Sequence, residues 1–114
     1  MPELMPTLDQ FRPAVLSALS DNQERTLREL CMLVAEKVGL SQELKDERIP
    51  SGQHRHSNRI NWACSSLTLA GLLERPRRGH YRITENGRIV EKRSLSKYSE
   101  KDMLEWPVWR AYQD

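Results

Sequence analysis

Between Gln53 and Thr84 the chain reads QHRHSNRINWACSSLTLAGLLERPRRGHYRIT, and this stretch decides the fold. At about 100° per residue, Ile60, Ala63, Cys64, Leu67, Ala70 and Gly71 fall on one arc, which predicts a helix from about His56 to Leu73 with one face in the core. The opposite arc carries Arg55, Asn58, Asn61, Trp62, Ser65 and Leu69, mostly hydrogen-bonding groups. Beyond Gly71 the period shortens. Leu72 to Pro76 reads as a short strand, Arg77, Arg78 and Gly79 as a tight turn, and His80 to Thr84 as the return strand, with Tyr81 and Ile83 flanking Arg82.

Upstream, Leu8, Phe11, Val15 and Leu19 are spaced by three and four residues, as in an amphipathic helix that Thr7 would cap. Pro13 interrupts that pattern, because a helix-interior proline loses a hydrogen bond outside the first turn, so the start lies either at the Thr7 cap or as late as Arg12. Asp21 and Asn22 turn the chain into a second helix. There, Thr26 and Glu29 form a capping-box pattern, Leu27, Leu30, Cys31, Val34, Ala35 and Val38 supply the buried face, and Gly39 ends the run. Ser41, Glu43 and Leu44 predict a short third helix to about Glu47, stopped by Ile49, Pro50, Ser51 and Gly52. After the hairpin, Thr84 to Gly87 lead into a last short helix with Ile89 and Val90. Helices, then a hairpin, then a closing helix is the order of a winged helix-turn-helix, mainly α with a small β-hairpin.

A chain of 114 residues suits one domain, here residues 1–93, followed by a tail over residues 94–114. The tail opens with Ser94, Ser96, Ser99, Lys97 and Lys101 in the manner of a linker, then regains Trp106, Val108 and Trp109. It either packs back on the domain or leads to a further one. Charge is unevenly placed. Residues 1–51 carry six Lys/Arg against nine Asp/Glu, whereas residues 52–93 carry nine against three, so a basic surface is expected from the middle of the chain. His54, His56 and His80 lie in that same segment and add charge at lower pH. Cys31 and Cys64 each sit in an apolar helical pattern outside any metal-ligand spacing, and read as buried thiols. No apolar run approaches the roughly 18 residues of a membrane span and the start lacks a secretory pattern, so a cytoplasmic protein with no membrane partner is expected.

The run Asn58, Arg59, Ile60, Asn61, Trp62, Ala63, with Leu67, Ala70, Gly71, Leu72, Leu73 and Glu74, then Pro76, Arg77, Arg78, Gly79, Tyr81, Ile83, Thr84 and Gly87, resembles the N-terminal domain of Mrr-type restriction proteins. Pro50, Ser51 and Gly52 and the tail from Met103 to Trp109 fit the same pattern, so the resemblance spans nearly the whole chain. Between Gly52 and Asn58 the sequence departs from it: Gln53, His54, Arg55, His56 and Ser57 stand where the family is commonly more apolar. The resemblance implies a winged-helix module that targets double-stranded DNA, often modified, for a nuclease elsewhere in the protein.

In a helix-turn-helix the second helix enters the major groove and its first turns reach base edges. The base-reading candidates are therefore Gln53, Arg55, Ser57, Asn58, Asn61 and Ser65. Two roles are open to Asn58, base contact or helix cap, and two to Arg59, phosphate contact or pairing with an acid of the second helix. The wing candidates Arg75, Arg77, Arg78, His80 and Arg82 suit phosphate neutralisation, although a hairpin tip is exposed whatever its function. Trp62 and Leu69 point away from the core. Either the tail's Trp106, Val108 and Trp109 cover that side or form another small cluster, or Trp62 contacts an extruded or methylated base, or it belongs to a protein-interaction or homodimer surface. No cofactor is implied. His54 and His56 with Cys64 lack a fourth metal partner, and Glu43, Leu44, Lys45, a match to the acid-x-lysine element of metal-dependent nucleases, lacks a strand setting, so this chain is expected to be non-enzymatic.

Overall fold

Side-chain caps place the first helices. The structure, a computed structural model, describes residues 4–113. Helix α1 spans Leu8–Ala18, where Thr7 Oγ1 accepts from Gln10 N and Gln10 Oε1 accepts from Thr7 N. This capping box starts the helix four residues before Arg12, at the earlier of the two expected starts, with Thr7 as its cap. Pro13 sits inside α1, and the carbonyl that its missing N–H would have engaged, Asp9 O, accepts instead from Tyr98 N at 2.8 Å. The tail thus satisfies the acceptor that the proline leaves open.

Thr26 and Glu29 form the second capping box, at the start of α2, Leu27–Lys37, which ends at Gly39 with φ +69°. Helix α3, Gln42–Asp46, is capped by Ser41. The fourth helix, α4, runs Arg55–Leu69 and is followed by strands β2, Leu73–Glu74, and β3, His80–Ile83, then by α5, Glu85–Glu91. Helix α4 stops short of Leu73 because Gly71, at φ +80°, turns the chain into β2.

The hairpin is part of a larger sheet than the sequence suggests. Arg25–Thr26 form strand β1, which pairs with β3 so that the antiparallel order is β1-β3-β2. Arg25 lies opposite Tyr81, and Glu74 opposite Arg82. A two-residue strand has no periodicity to read. Helix, strand, two helices, the long helix and the hairpin are the order and strand arrangement of a winged helix-turn-helix.

Helix α1 packs most extensively on α4, and Phe11, Val15, Leu16, Ile60, Ala63, Cys64 and Leu67 form the centre of the core with Leu30 and Val34 from α2. Helix α5 sits close to the start of β2: a Cβ added at Gly87 would lie 2.1 Å from Leu72 O. The tail contributes Tyr98, Met103 and Trp109 to this same core. Its 3-10 turn, Asp102–Glu105, is fastened by Arg93, whose guanidinium donates two 2.8 Å hydrogen bonds to Glu105, while Tyr98 Oη donates to the same carboxylate. Arg93 holds the Glu105 carboxyl below its usual range. Trp109 is buried on the last helix, α6, Pro107–Gln113, with its indole N–H on Glu100 O.

At the junction of α1, α4 and the tail is a charge that amphipathic patterning does not flag. Arg12 is only 1% exposed. Its Nε donates to Ser66 Oγ at 2.9 Å, and its Nη1 donates to Asp9 Oδ1 at 2.8 Å and Tyr98 O at 2.9 Å. Replacing it leaves a void and strands Ser66 and Tyr98 O without a donor. Arg12→Ala is expected to lower unfolding stability by about 2–4 kcal/mol in urea denaturation; an unchanged midpoint would mean that the clasp contributes nothing.

Candidate nucleic-acid interface

A tight chain reversal sets up the start of α4. Ile49 N donates to Gln53 O at 2.9 Å, Gly52 takes φ +93°, and Arg55 N donates to Glu47 O at 2.8 Å. Arg55 Nε also lies 2.8 Å from Glu47 Oε1, an ion pair out of line for a hydrogen bond. Arg55 is therefore partly engaged within the chain. The N-cap is His54, with no side-chain cap. Asn58 lies one turn inside the helix and does not cap it; its amide donates to Gln53 Oε1 at 3.2 Å, joining two base-reading candidates.

Asn61 and Ser65 continue this face, half-buried, with no side-chain hydrogen-bond partner among the described residues. Their polar atoms are available to a ligand. Ser57 is placed differently. With Cys31 of α2 and with His54 and His56 it lines a groove between α2, α3 and α4. Burial pushes both thiols, Cys31 and Cys64, above their usual range, so each is a neutral, unreactive group.

The wing is basic but not bare. Arg77 Nε donates to Glu24 Oε2 at 2.8 Å, and Arg82 Nε donates to Glu74 Oε1 at 2.7 Å across the β2–β3 pair. Arg75 lies over the Tyr81 ring, 5.3 Å from its centroid. Arg78 is exposed with no side-chain partner among the described residues. Gly79, at φ +76°, closes the turn, and its carbonyl accepts from Leu27 N at 3.0 Å, tying the wing tip to the start of α2. His80 Nδ1–H donates to Arg78 O at 2.9 Å, and its Nε2 lies 4.0 Å from Glu24 Oε2. Arg25 is held by two hydrogen bonds to Asp21, which hold that carboxyl at about 2.

Glu24 and Glu74 as partners of the wing arginines were missed in the sequence. The strand register is the signal that would have found Glu74, since it lies directly across from Arg82. The distance between Glu24 and Arg77 in the chain left no such signal.

Among the described residues Arg59 pairs with no acid of α2; its Nη1 donates to Pro6 O at 2.8 Å, anchoring the segment that leads into α1. Beside it, Trp62 is 61% exposed and borders a shallow groove with Thr7, Leu8 and Arg59. The tail does not cover it. Trp109 is buried elsewhere, Trp106 is half-buried with its indole N–H on Tyr98 Oη at 2.9 Å, and Val108 packs by Gly71 at the far end of α4. The tail's tryptophans are used internally because Tyr98 and Glu100 offer them hydrogen-bond acceptors. Among the described residues, no group of three or more His, Cys, Asp and Glu side chains could hold a metal, and no helix is long and apolar enough to cross a membrane.

A family model, the Mrr N-terminal domain, matches residues 9–93. The chain belongs to this family. A curated relative, the type IV methyl-directed restriction enzyme EcoKMrr of Escherichia coli (strain K12), is 33% identical over 84 residues, covering 73% of this chain and 28% of that protein. This chain therefore aligns with less than a third of the relative's length. No solved structure matches the chain. In this Mrr N-terminal domain the matched region runs from α1 through α5, so the buried Tyr98, Met103 and Trp109 lie beyond it.

The exposure of Trp62 in this Mrr N-terminal domain has a direct optical consequence. Of the three tryptophans, it is the one open to solvent. Trp62→Phe is expected to remove most of the acrylamide-quenchable fluorescence, whereas Trp109→Phe leaves it; equal quenching of wild type and Trp62→Phe would show that Trp62 is covered.

Proposed function

We propose that this chain is a double-stranded DNA-targeting module of a restriction system, with α4 facing the major groove and the β2–β3 wing on backbone phosphates. The reading is supported most by one observation: an exposed arginine hairpin follows directly on a helix whose polar groups Asn61 and Ser65 lack side-chain partners among the described residues. Exposed ion pairs such as Arg77–Glu24 and Arg82–Glu74 are worth about 0–1 kcal/mol each. Phosphates of a duplex, each carrying full charge, exchange with those carboxylates at small cost and release counterions. Membership of the Mrr N-terminal domain family and likeness to a methyl-directed restriction enzyme favour methylated DNA as the target.

Gln53, Asn58 and Asn61 are assigned to base edges, where an asparagine amide suits adenine through paired donor and acceptor bonds. Arg75, Arg77, Arg78, His80 and Arg82 are assigned to phosphates. Arg59, committed to Pro6 O, is assigned to holding the N-terminal segment against α4.

A binding titration over several salt concentrations tests this division. The double variant Arg77→Ala with Arg78→Ala should weaken binding to every duplex about tenfold and reduce the salt slope by about one to two. Asn61→Ala should instead change preference among duplexes, methylated and unmethylated, more than it changes non-specific affinity. Unaltered affinity and slope in the arginine variant would remove the wing from the interface, and uniform loss in Asn61→Ala would remove it from base reading.

A further inference from the structure

The groove between α2, α3 and the first turn of α4 contains an unsatisfied group that the DNA reading above does not use. His56 is 9% exposed and lines this groove, yet its Nδ1 has no hydrogen-bond partner; the Nδ1 of neighbouring His54 is likewise enclosed and unpaired. The two rings are 5.7 Å apart. An unpaired enclosed imidazole nitrogen carries a desolvation cost that native structures seldom leave standing without a use. Rotation of the ring into the groove would give that nitrogen access to a bound acceptor.

The same groove lies against the start of a 15-residue helix with no acidic residue in its first turn and no side-chain cap. The backbone N–H groups of His56 and Ser57 have no acceptor among the described residues. Arg28 of α2 and Lys45 of α3 add cationic charge at the rim, countered by Glu36 of α2 and Asp46 of α3, the latter accepting from Gln42. Glu47 is engaged by Arg55, and Arg48, bridged to His54 through the backbone, donates to Gly52 O. The rim charges thus balance, and what remains unanswered is a set of donors: two helix-end amides and an imidazole. That set suits a tetrahedral oxyanion.

We propose that the N-terminus of α4, with His56 and His54, is a binding site for a phosphate group. The donors fit one phosphate oxygen on the helix-end amides and another on the His56 ring turned into the groove. Burial, and then the charges of His54 and Lys45, hold His56 below the usual histidine range, so the empty site keeps the ring neutral. A bound anion favours the protonated ring, and affinity therefore rises as pH falls. The chemistry is common to a free phosphate and to a phosphodiester of the DNA backbone; only the second source rests on the DNA reading.

The test is amide NMR of the full chain titrated with inorganic phosphate at constant ionic strength, and separately with a duplex. With phosphate, saturable shifts are expected at the His56 and Ser57 amides, weakened at least about fivefold in His56→Gln. Should that variant fail to fold, Lys45→Gln is expected to weaken phosphate about two- to threefold. Shifts spread evenly over the surface and equal in these variants would overturn the site. In the duplex arm, the same amides move and affinity tightens about tenfold between about pH 7.5 and about pH 5, a rise that His56→Gln largely removes. Phosphate shifts without any duplex shifts there identify the free anion as the ligand and keep the site. Duplex binding with both amides unmoved in both arms overturns the site while leaving the DNA reading intact; phosphate binding by a chain that binds no duplex does the reverse.

Discussion

The buried guanidinium of Arg12 is the constraint on which the arrangement of α1, α4 and the tail depends. A charge this deep is tolerable only when its donors are matched, and here the matches come from three places: Asp9 on its own helix, Ser66 on α4 and the Tyr98 carbonyl of the tail. One residue further, Pro13 leaves Asp9 O without its helical donor, and Tyr98 N supplies it. Tyr98 is therefore held through both its backbone groups to the first helix. Through Ser66, the same clasp fixes the rotation of α4 about its axis, and that rotation decides which side chains face outward. With Ser66 turned to Arg12, Asn58, Asn61 and Ser65 lie away from α1's core contact and toward solvent.

Much of this was legible in the sequence where a local rule was sufficient. Thr26 with Glu29, Ser41, Gly39 and Gly79 mark starts, ends and turns because their chemistry acts within a few residues. The buried arc of α4 was read correctly from its period. Three features lay outside such rules. The strand at Arg25 and Thr26 is too short to alternate and exists only because β3 is there to pair with it. Arg12 sits at a position that charge alone assigns to solvent. The tail's tryptophans could have formed a lid for Trp62 or a cluster of their own, and the sequence did not choose; indole N–H groups go where acceptors are, and Tyr98 and Glu100 provide them inside the tail itself. Of the candidate site, the basic hairpin and the polar helix face were visible, while the carboxylates that temper the hairpin and the inward turn of Ser57 depend on contacts made by the fold.

The internal ion pairs give the wing a particular electrostatic character. Glu24 and Glu74 keep Arg77 and Arg82 extended in defined directions, reducing the side-chain freedom that a phosphate contact would otherwise have to restrict. The carboxylates also oppose a nearby polyanion. On the proposed DNA reading the net effect would be a modest grip that is sensitive to salt, with Arg78 as the arginine of this hairpin that would meet a phosphate without first releasing or sharing a partner. Such a grip would suit the module proposed above, with selectivity from the helix face and register from the wing.

The central claim is that duplex DNA lies across the outer face of α4 and the β2–β3 wing. Photo-crosslinking tests it most directly, with a photoreactive side chain placed in turn at Asn61, at Arg78 and at Tyr112, an exposed position on α6. The account predicts crosslinks to a duplex from positions 61 and 78 and none from 112. Crosslinking from 112 alone, or from none of the three in a chain that binds the duplex, would contradict it.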